Sequence, residues 1–249
     1  MNFILAKTFV DSLAKLDATL QGLAKGAALD FQLNPKQPGF QFHRIERAKD
    51  KQMWTARVNS DLRMVIHHSE DQMVLLYVGH HDDAYAWGER RRLEHNPVTG
   101  AAQLVEIQER VEEVTKTIVR EVVHDPPLFA GYARDYLLAL GVPEAWLDAV
   151  LHIDLAGLEK LEAHLPAEAF ERLFQLACGE PVPRPASASK GDPFAHPDAQ
   201  RRFVVLDDRV EFRRALENPW EQWLVFLHPT QRAVVGRRFD FTLLQQVTG

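Results

Sequence analysis

The sequence predicts an α+β fold, a small antiparallel sheet with a helix packed on one face and an α-helical region after it. Three observations carry this. Residues 8–23 repeat apolar side chains at helical spacing. Residues 40–78 alternate with period two. Residues 101–178 return to helical spacing with no strand pattern.

Residues 3–6 are a short apolar run that reads as a strand. From Thr8 the period changes, and Phe9, Leu13, Leu16, Leu20 and Leu23 mark one helix with Asp11 in its first turn. Asn34-Pro35 and Pro38-Gly39 close it. Phe40, Phe42 and Ile45 begin a strand. Trp54, Ala56 and Val58 lie in a second, Leu62, Met64 and Ile66 in a third, and residues 73–78 suit a central one. Asn59-Ser60-Asp61 and Ser69-Glu70-Asp71 supply turn chemistry between them. Asn96-Pro97 and Thr99-Gly100 break the chain. Residues 101–123 read as one long acidic helix whose stripe is Leu104, Ile107, Val111, Val114, Ile118 and Val122. Residues 128–178 read as short helices, with Pro143 and Pro166 at helix starts. Residues 179–197 carry five prolines and read as a linker. Residues 203–206 read as a strand and 209–217 as a helix. The resulting division is 1–96, 101–180, a linker at 181–200, and 201–249.

Composition bounds the function. The chain has 249 residues, 46% hydrophobic and 26% charged, the balance of an ordinary globular protein. A lone Cys178 excludes a disulfide framework and a cysteine zinc cluster, and fits a reducing, cytoplasmic location. No apolar stretch is long enough for a membrane span, and the N-terminus has too short an apolar run for a signal peptide. The net charge of −6 is uneven. Residues 1–99 hold 13 basic and 12 acidic side chains, residues 100–200 hold 8 and 17, and residues 201–249 hold 8 and 6. A nucleic-acid surface is therefore expected at the ends, not in the acidic middle.

The chemistry concentrates in Tyr77-Val-Gly-His80-His81-Asp82-Asp83-Ala-Tyr85. Two His and two Asp have metal-ligand chemistry. Adjacent strand residues point to opposite faces, however, so His80 and His81 reach one ion only through a bulge, and no metal is assigned. Solvated histidines capping a strand are a second reading. A phosphodiester site is the third. Arg57 and Arg63 sit three residues either side of Ser60, so a hairpin centred there faces them toward each other. Paired guanidinium groups repel unless an anion bridges them.

Residues 1–95 resemble the RelE/ParE family of small toxins. The residues that carry the likeness are Trp54-Thr-Ala-Arg-Val-Asn-Ser-Asp-Leu-Arg-Met-Val-Ile-His-His68 and Leu76-Tyr-Val-Gly-His-His-Asp-Asp-Ala-Tyr85, after a strand and a helix. The resemblance implies a metal-independent ribonuclease acting on mRNA, or an interaction module that binds an antitoxin-like protein. It matches Arg57 and Arg63 to phosphate-binding arginines, and His80 or His81 with Tyr85 to acid and stacking residues. Glu46 matches a base by strand position only.

Leu138-Ala-Leu-Gly-Val-Pro143, residues 165–180 and Asn218-Pro-Trp-Glu-Gln-Trp-Leu-Val-Phe-Leu-His-Pro-Thr-Gln231 are similar to the N-terminal region of UvrD/Rep-type superfamily I DNA helicases. In that resemblance Gln231 reads adenine through its amide. ATP and Mg²⁺ are implied only for the complete family protein, because no Gly-x-x-x-x-Gly-Lys-Ser/Thr loop occurs in these 249 residues. The expectation is an accessory region that contacts DNA, RNA or a protein partner, ahead of an incomplete helicase core and without ATPase activity of its own. Trp220, Trp223, Phe226 and Phe239 would then be exposed, or collapse onto the helical part, and favour oligomers.

Overall fold

The computed structural model describes residues 2–122, 126–185, 191–206 and 209–217. The architecture is mixed α+β, built on a six-stranded, mostly antiparallel sheet. Gln231 and the four C-terminal aromatic residues named above lie outside the described residues.

Strand β1 (Asn2–Ala6) runs straight into helix α1 (Lys7–Leu13), and α2 (Ala18–Leu33) follows. The single helix expected from Thr8 is thus two. Asp17 accepts a hydrogen bond from the Leu20 amide at 2.9 Å and starts a new helix. Leu23, the last of the helically spaced apolar residues, is 49% exposed, while Ala24, Ala28, Leu29 and Phe31 are buried.

A 3-10 turn at Pro38–Phe40 and Gln41 at φ 43° leave only His43–Arg44 as strand β2. The longer strand expected from Phe40 fails because Pro38 has no N–H for a ladder and Phe40 turns inward onto Phe31, ring centres 5.2 Å apart. Strands β3 (Met53–Arg57), β4 (Leu62–His68) and β5 (Gln72–His80) form an antiparallel meander in line with the alternation. β1 lies parallel to β5, with Phe3 beside Met73. Two hydroxyls fasten α1 across β5. Thr8 Oγ1 donates to the Leu76 carbonyl at 2.6 Å, and buried Ser12 Oγ accepts from the Val78 amide at 3.0 Å.

The sheet order is β2-β3-β4-β5-β1-β8, where β8 is Phe203–Leu206. β8 pairs antiparallel with β1, and helix α9 (Arg209–Glu217) buries Phe212, Ala215 and Leu216 in the same core as Phe9 and Leu13. Residues 203–206, expected in a separate C-terminal part, thus join the first sheet, and α9 packs on it. The physical reason is that β1 without β8 would present an unpaired edge of N–H and C=O groups.

Helix α3 (His81–Glu89) packs on the face of the sheet opposite α1, α2 and α9. Strand β6 (Arg91–His95) and strand β7 (Ala102–Glu106) then form a hairpin. This corrects one expectation: the helix expected over 101–123 starts later, as α4 (Gln108–Val122). Leu104 is a strand residue paired with Leu93, since strand pairing satisfies its backbone in a way helical spacing cannot foretell. The hairpin turn uses Gly100 at φ 71°. Asn96 Nδ2 donates to the carbonyls of Leu138 at 3.1 Å and Val142 at 3.4 Å, so the expected break near residue 96 is a tied junction.

The remaining helices are α5 (Arg134–Ala139), α6 (Leu147–Leu151), α7 (Leu155–Leu161) and α8 (Ala167–Ala177). They gather Leu137, Trp146, Leu158 and Leu173 around Val111, Val114 and Ile118 of α4. Pro143 directly precedes a 3-10 turn and Pro166 directly precedes α8. Part of the expected linker is also packed. Phe194 is buried edge-on against Phe203 at 5.2 Å, and Asp198 takes a bidentate bond from Arg172 at 2.8 and 2.9 Å. Arg202 joins the units, donating to the Ala102 carbonyl at 3.0 Å and pairing with buried Glu168 of α8. No helix among the described residues is long and apolar enough to cross a membrane.

Candidate functional site

Residues of one parity on β3 and β4 face α3, because side chains alternate across a strand. Met53, Thr55 and Arg57 lie on that face, and the register sets Thr55 beside Val65 and Arg57 beside Arg63. β2 continues the row by placing His43 beside Thr55.

The turn at Asn59 organises the arginines. Asn59 Oδ1 accepts from the amides of Asp61 at 2.8 Å and Leu62 at 2.7 Å, which closes the turn. Its main-chain carbonyl accepts from Arg57 Nε and from Arg63 Nη1, both at 2.9 Å. Arg63 Nη1 also donates to the Leu62 carbonyl at 2.9 Å. Neither arginine pairs with a carboxylate among the described residues, whereas Lys49, Arg91, Arg92, Arg110, Arg134, Arg172, Arg201 and Arg202 each do. Two cations therefore share one neutral carbonyl oxygen, and the terminal nitrogens of Arg57 remain open to a ligand. Three other basic side chains of this part of the chain carry carboxylate partners: Lys49 has Glu109, Arg91 has Glu106 and Arg92 has Glu94.

Helix α3 brings Tyr85 over this face. Burial pushes the Tyr85 hydroxyl above the usual tyrosine pKa, while the nearby Arg63 charge and Thr55 hydroxyl act the other way. Tyr85 is thus held as a neutral phenol, able to donate. Thr55 is 1% exposed, and its Oγ1 has no well-directed hydrogen bond although it lies close enough to Tyr85 to influence its ionisation. His81 stacks at a tilt on Tyr85, centres 4.7 Å apart, and its Nδ1 meets Asp82 Oδ1 at 2.8 Å. His43 Nε2 lies 2.8 Å from the Tyr85 hydroxyl, and His43 Nδ1 lies 2.5 Å from the Gln41 carbonyl.

The fit of α3 on the sheet is close. A Cβ at Gly88 would fall 2.6 Å from Ile45 Cδ1 and 3.3 Å from Val65 Cγ1. Tyr77 stacks on Trp87 at 4.9 Å, and the Arg91 guanidinium lies over the Trp87 ring at 4.7 Å.

Of the residues singled out from sequence, Arg57, Arg63, His81 and Tyr85 come together. His80 does not. It ends β5 opposite Leu62, its Nδ1 pairs with Asp61 Oδ2 at 2.5 Å, and that bond raises its pKa above the ordinary histidine value. The alternation of the strand and the nearby charge of Asp17 put it on the α1–α2 side of the sheet. Glu46 is exposed in the turn after β2. No group of three or more metal-ligating side chains occurs among the described residues. His43 and Thr55 were missed by sequence reasoning, and only their alternation with Ile45 and with Arg57 could have flagged them. Comparison with protein-family models, characterised proteins and solved structures gives no match to this chain.

Proposed function

We propose that the sheet face beneath α3 binds the phosphodiester backbone of single-stranded nucleic acid. The observation that carries this is the convergence of Arg57 and Arg63 on the Asn59 carbonyl with no carboxylate between them. An oxyanion is the missing partner by charge, and a phosphate matches the guanidinium fork in geometry. The His81–Tyr85 pair beside it offers rings on which an unpaired base stacks. This fits the resemblance of residues 1–95 to the RelE/ParE family. Together with the helicase-like runs at 138–143, 165–180 and 218–231, it favours an accessory module of a UvrD/Rep-type DNA helicase. In that reading the chain as given does not hydrolyse ATP, since it has no phosphate-cradling loop. Fluorescence anisotropy with a labelled single-stranded oligonucleotide tests the binding, which Arg57→Ala and Arg63→Ala should weaken without unfolding the chain. Equal affinity in both variants would reject the site. DNA-stimulated ATP turnover by the purified chain would reject the accessory role.

A second reading, RNA cleavage of the RelE type, is favoured by the hydrogen bond between His43 and Tyr85, which puts proton-accepting and proton-donating groups beside the arginines. Cleavage of mRNA that is lost in Arg63→Ala would support it, and cleavage unchanged in that variant would assign the activity to a contaminant.

A further inference from the structure

The His43 ring makes two hydrogen bonds, and one of them fixes the other. A main-chain carbonyl only accepts, so the 2.5 Å approach of Nδ1 to the Gln41 carbonyl requires a proton on Nδ1. Gln41 turns that carbonyl toward the ring through its left-handed backbone, φ 43°. In the neutral ring Nε2 is then bare and accepts from the Tyr85 hydroxyl at 2.8 Å. In the protonated ring Nε2 carries a hydrogen and donates to the phenol oxygen, so the Tyr85 proton points elsewhere. The charged and titratable groups around His43 include Arg57 and Arg63 on the β3–β4 hairpin, Tyr85, His81 and Asp82 on α3, Arg44 on β2, Glu46 and Arg47 in the turn that follows, and Lys36, which lines the same surface groove.

We propose that His43 is a positioning residue that gates the Tyr85 hydroxyl: neutral His43 holds the phenol proton, and protonated His43 releases it toward the phosphate on Arg57 and Arg63. Protonation also adds a positive charge next to the anion. The site therefore binds single-stranded nucleic acid more tightly when His43 is protonated than when it is neutral. This rests on the phosphodiester-binding reading above.

The test is the affinity of the full chain for a labelled single-stranded RNA oligonucleotide, from pH 8 to pH 5.5 at constant ionic strength. Wild type should gain about tenfold toward acid, one released hydrogen bond and one added cation each contributing a few-fold. His43→Ala, which leaves His81 in place, should flatten the profile. Tyr85→Phe should retain only the smaller rise due to the charge, and the double variant should match His43→Ala. A wild-type profile in His43→Ala, or full acid affinity in Tyr85→Phe, would overturn the gating. Arg63→Ala separates the two levels. If it weakens binding while His43→Ala changes nothing, the phosphate site stands and the gate falls. If Arg63→Ala has no effect, or wild type does not bind, the site itself falls and the gate with it.

Discussion

Arg57 and Arg63 face each other across the β3–β4 hairpin, and both donate to the carbonyl oxygen of Asn59 at 2.9 Å. A neutral oxygen offers two lone pairs but no charge, so it orients the two guanidinium groups without cancelling their repulsion. Close like charges are unfavourable by roughly 1 kcal/mol in water and several-fold more at a protein surface. Binding an anion would relieve that cost, which is the physical basis of the proposed phosphate site.

The turn that aims the pair is testable alone. Asn59→Ala removes an acceptor for two amides and is expected to cost about 1–2 kcal/mol in urea unfolding. Nucleic-acid affinity should fall with it, because the carbonyl that gathers the arginines loses its fixed direction. Unchanged stability would mean that the Asn59 side chain does not hold the turn.

Gly88→Ala probes the seat of α3. The new Cβ would press on Ile45 and Val65, both buried in the core, so a loss of about 1–3 kcal/mol is expected. Tyr85 rides on the same helix, so binding should weaken in parallel. A variant as stable as wild type would mean that α3 is loosely seated.

Glu168→Ala tests the junction of the two units. Glu168 is 2% exposed and pairs with Arg202, so its removal leaves the part-buried Arg202 cation without its carboxylate, at an expected cost of about 3 kcal/mol. Thermal unfolding reads this directly. A shift within error would show that the Arg202 charge finds water instead.

Acid should loosen the same region. Burial opposes ionisation of Asp198, but the bidentate Arg172 more than offsets it and holds the carboxyl below its ordinary pKa. Glu106 behaves alike: burial opposes its charge, while His164, Arg91 and Arg110 hold its pKa down. A carboxyl whose folded pKa is depressed contributes stability above its unfolded pKa and loses it as pH falls through the folded one. Melting temperature should therefore drop below about pH 4, and Asp198→Asn should show a shallower acid dependence than wild type. An equally steep dependence in that variant would assign the acid sensitivity elsewhere.

Sequence made the meander and the arginine pairing legible because both depend on local rules. Period-two alternation gives strands, and the Asn59-Ser60-Asp61 turn fixes which residues oppose. It did not reveal that β8 closes the sheet beside β1, since pairing between residues 3–6 and 203–206 leaves no periodic trace in either segment. Leu104 misled for the converse reason, since its spacing suits a helix and only its partner Leu93 makes it a strand residue. His43 was hidden because β2 is two residues long and its meaning comes from Tyr85, forty-two positions away. The choice between His80 and His81 needed the end of β5, where one residue closes the strand and the next opens α3.

The salt dependence of single-stranded oligonucleotide binding tests the central claim most directly. Removing one cation that neutralises a phosphate should lower the slope of log affinity against log salt by about 0.7 for a single strand. Arg63→Ala is predicted to weaken binding at low salt and to flatten that slope by about this amount relative to wild type. The same affinity and the same slope in both proteins would contradict a phosphate seated on Arg57 and Arg63.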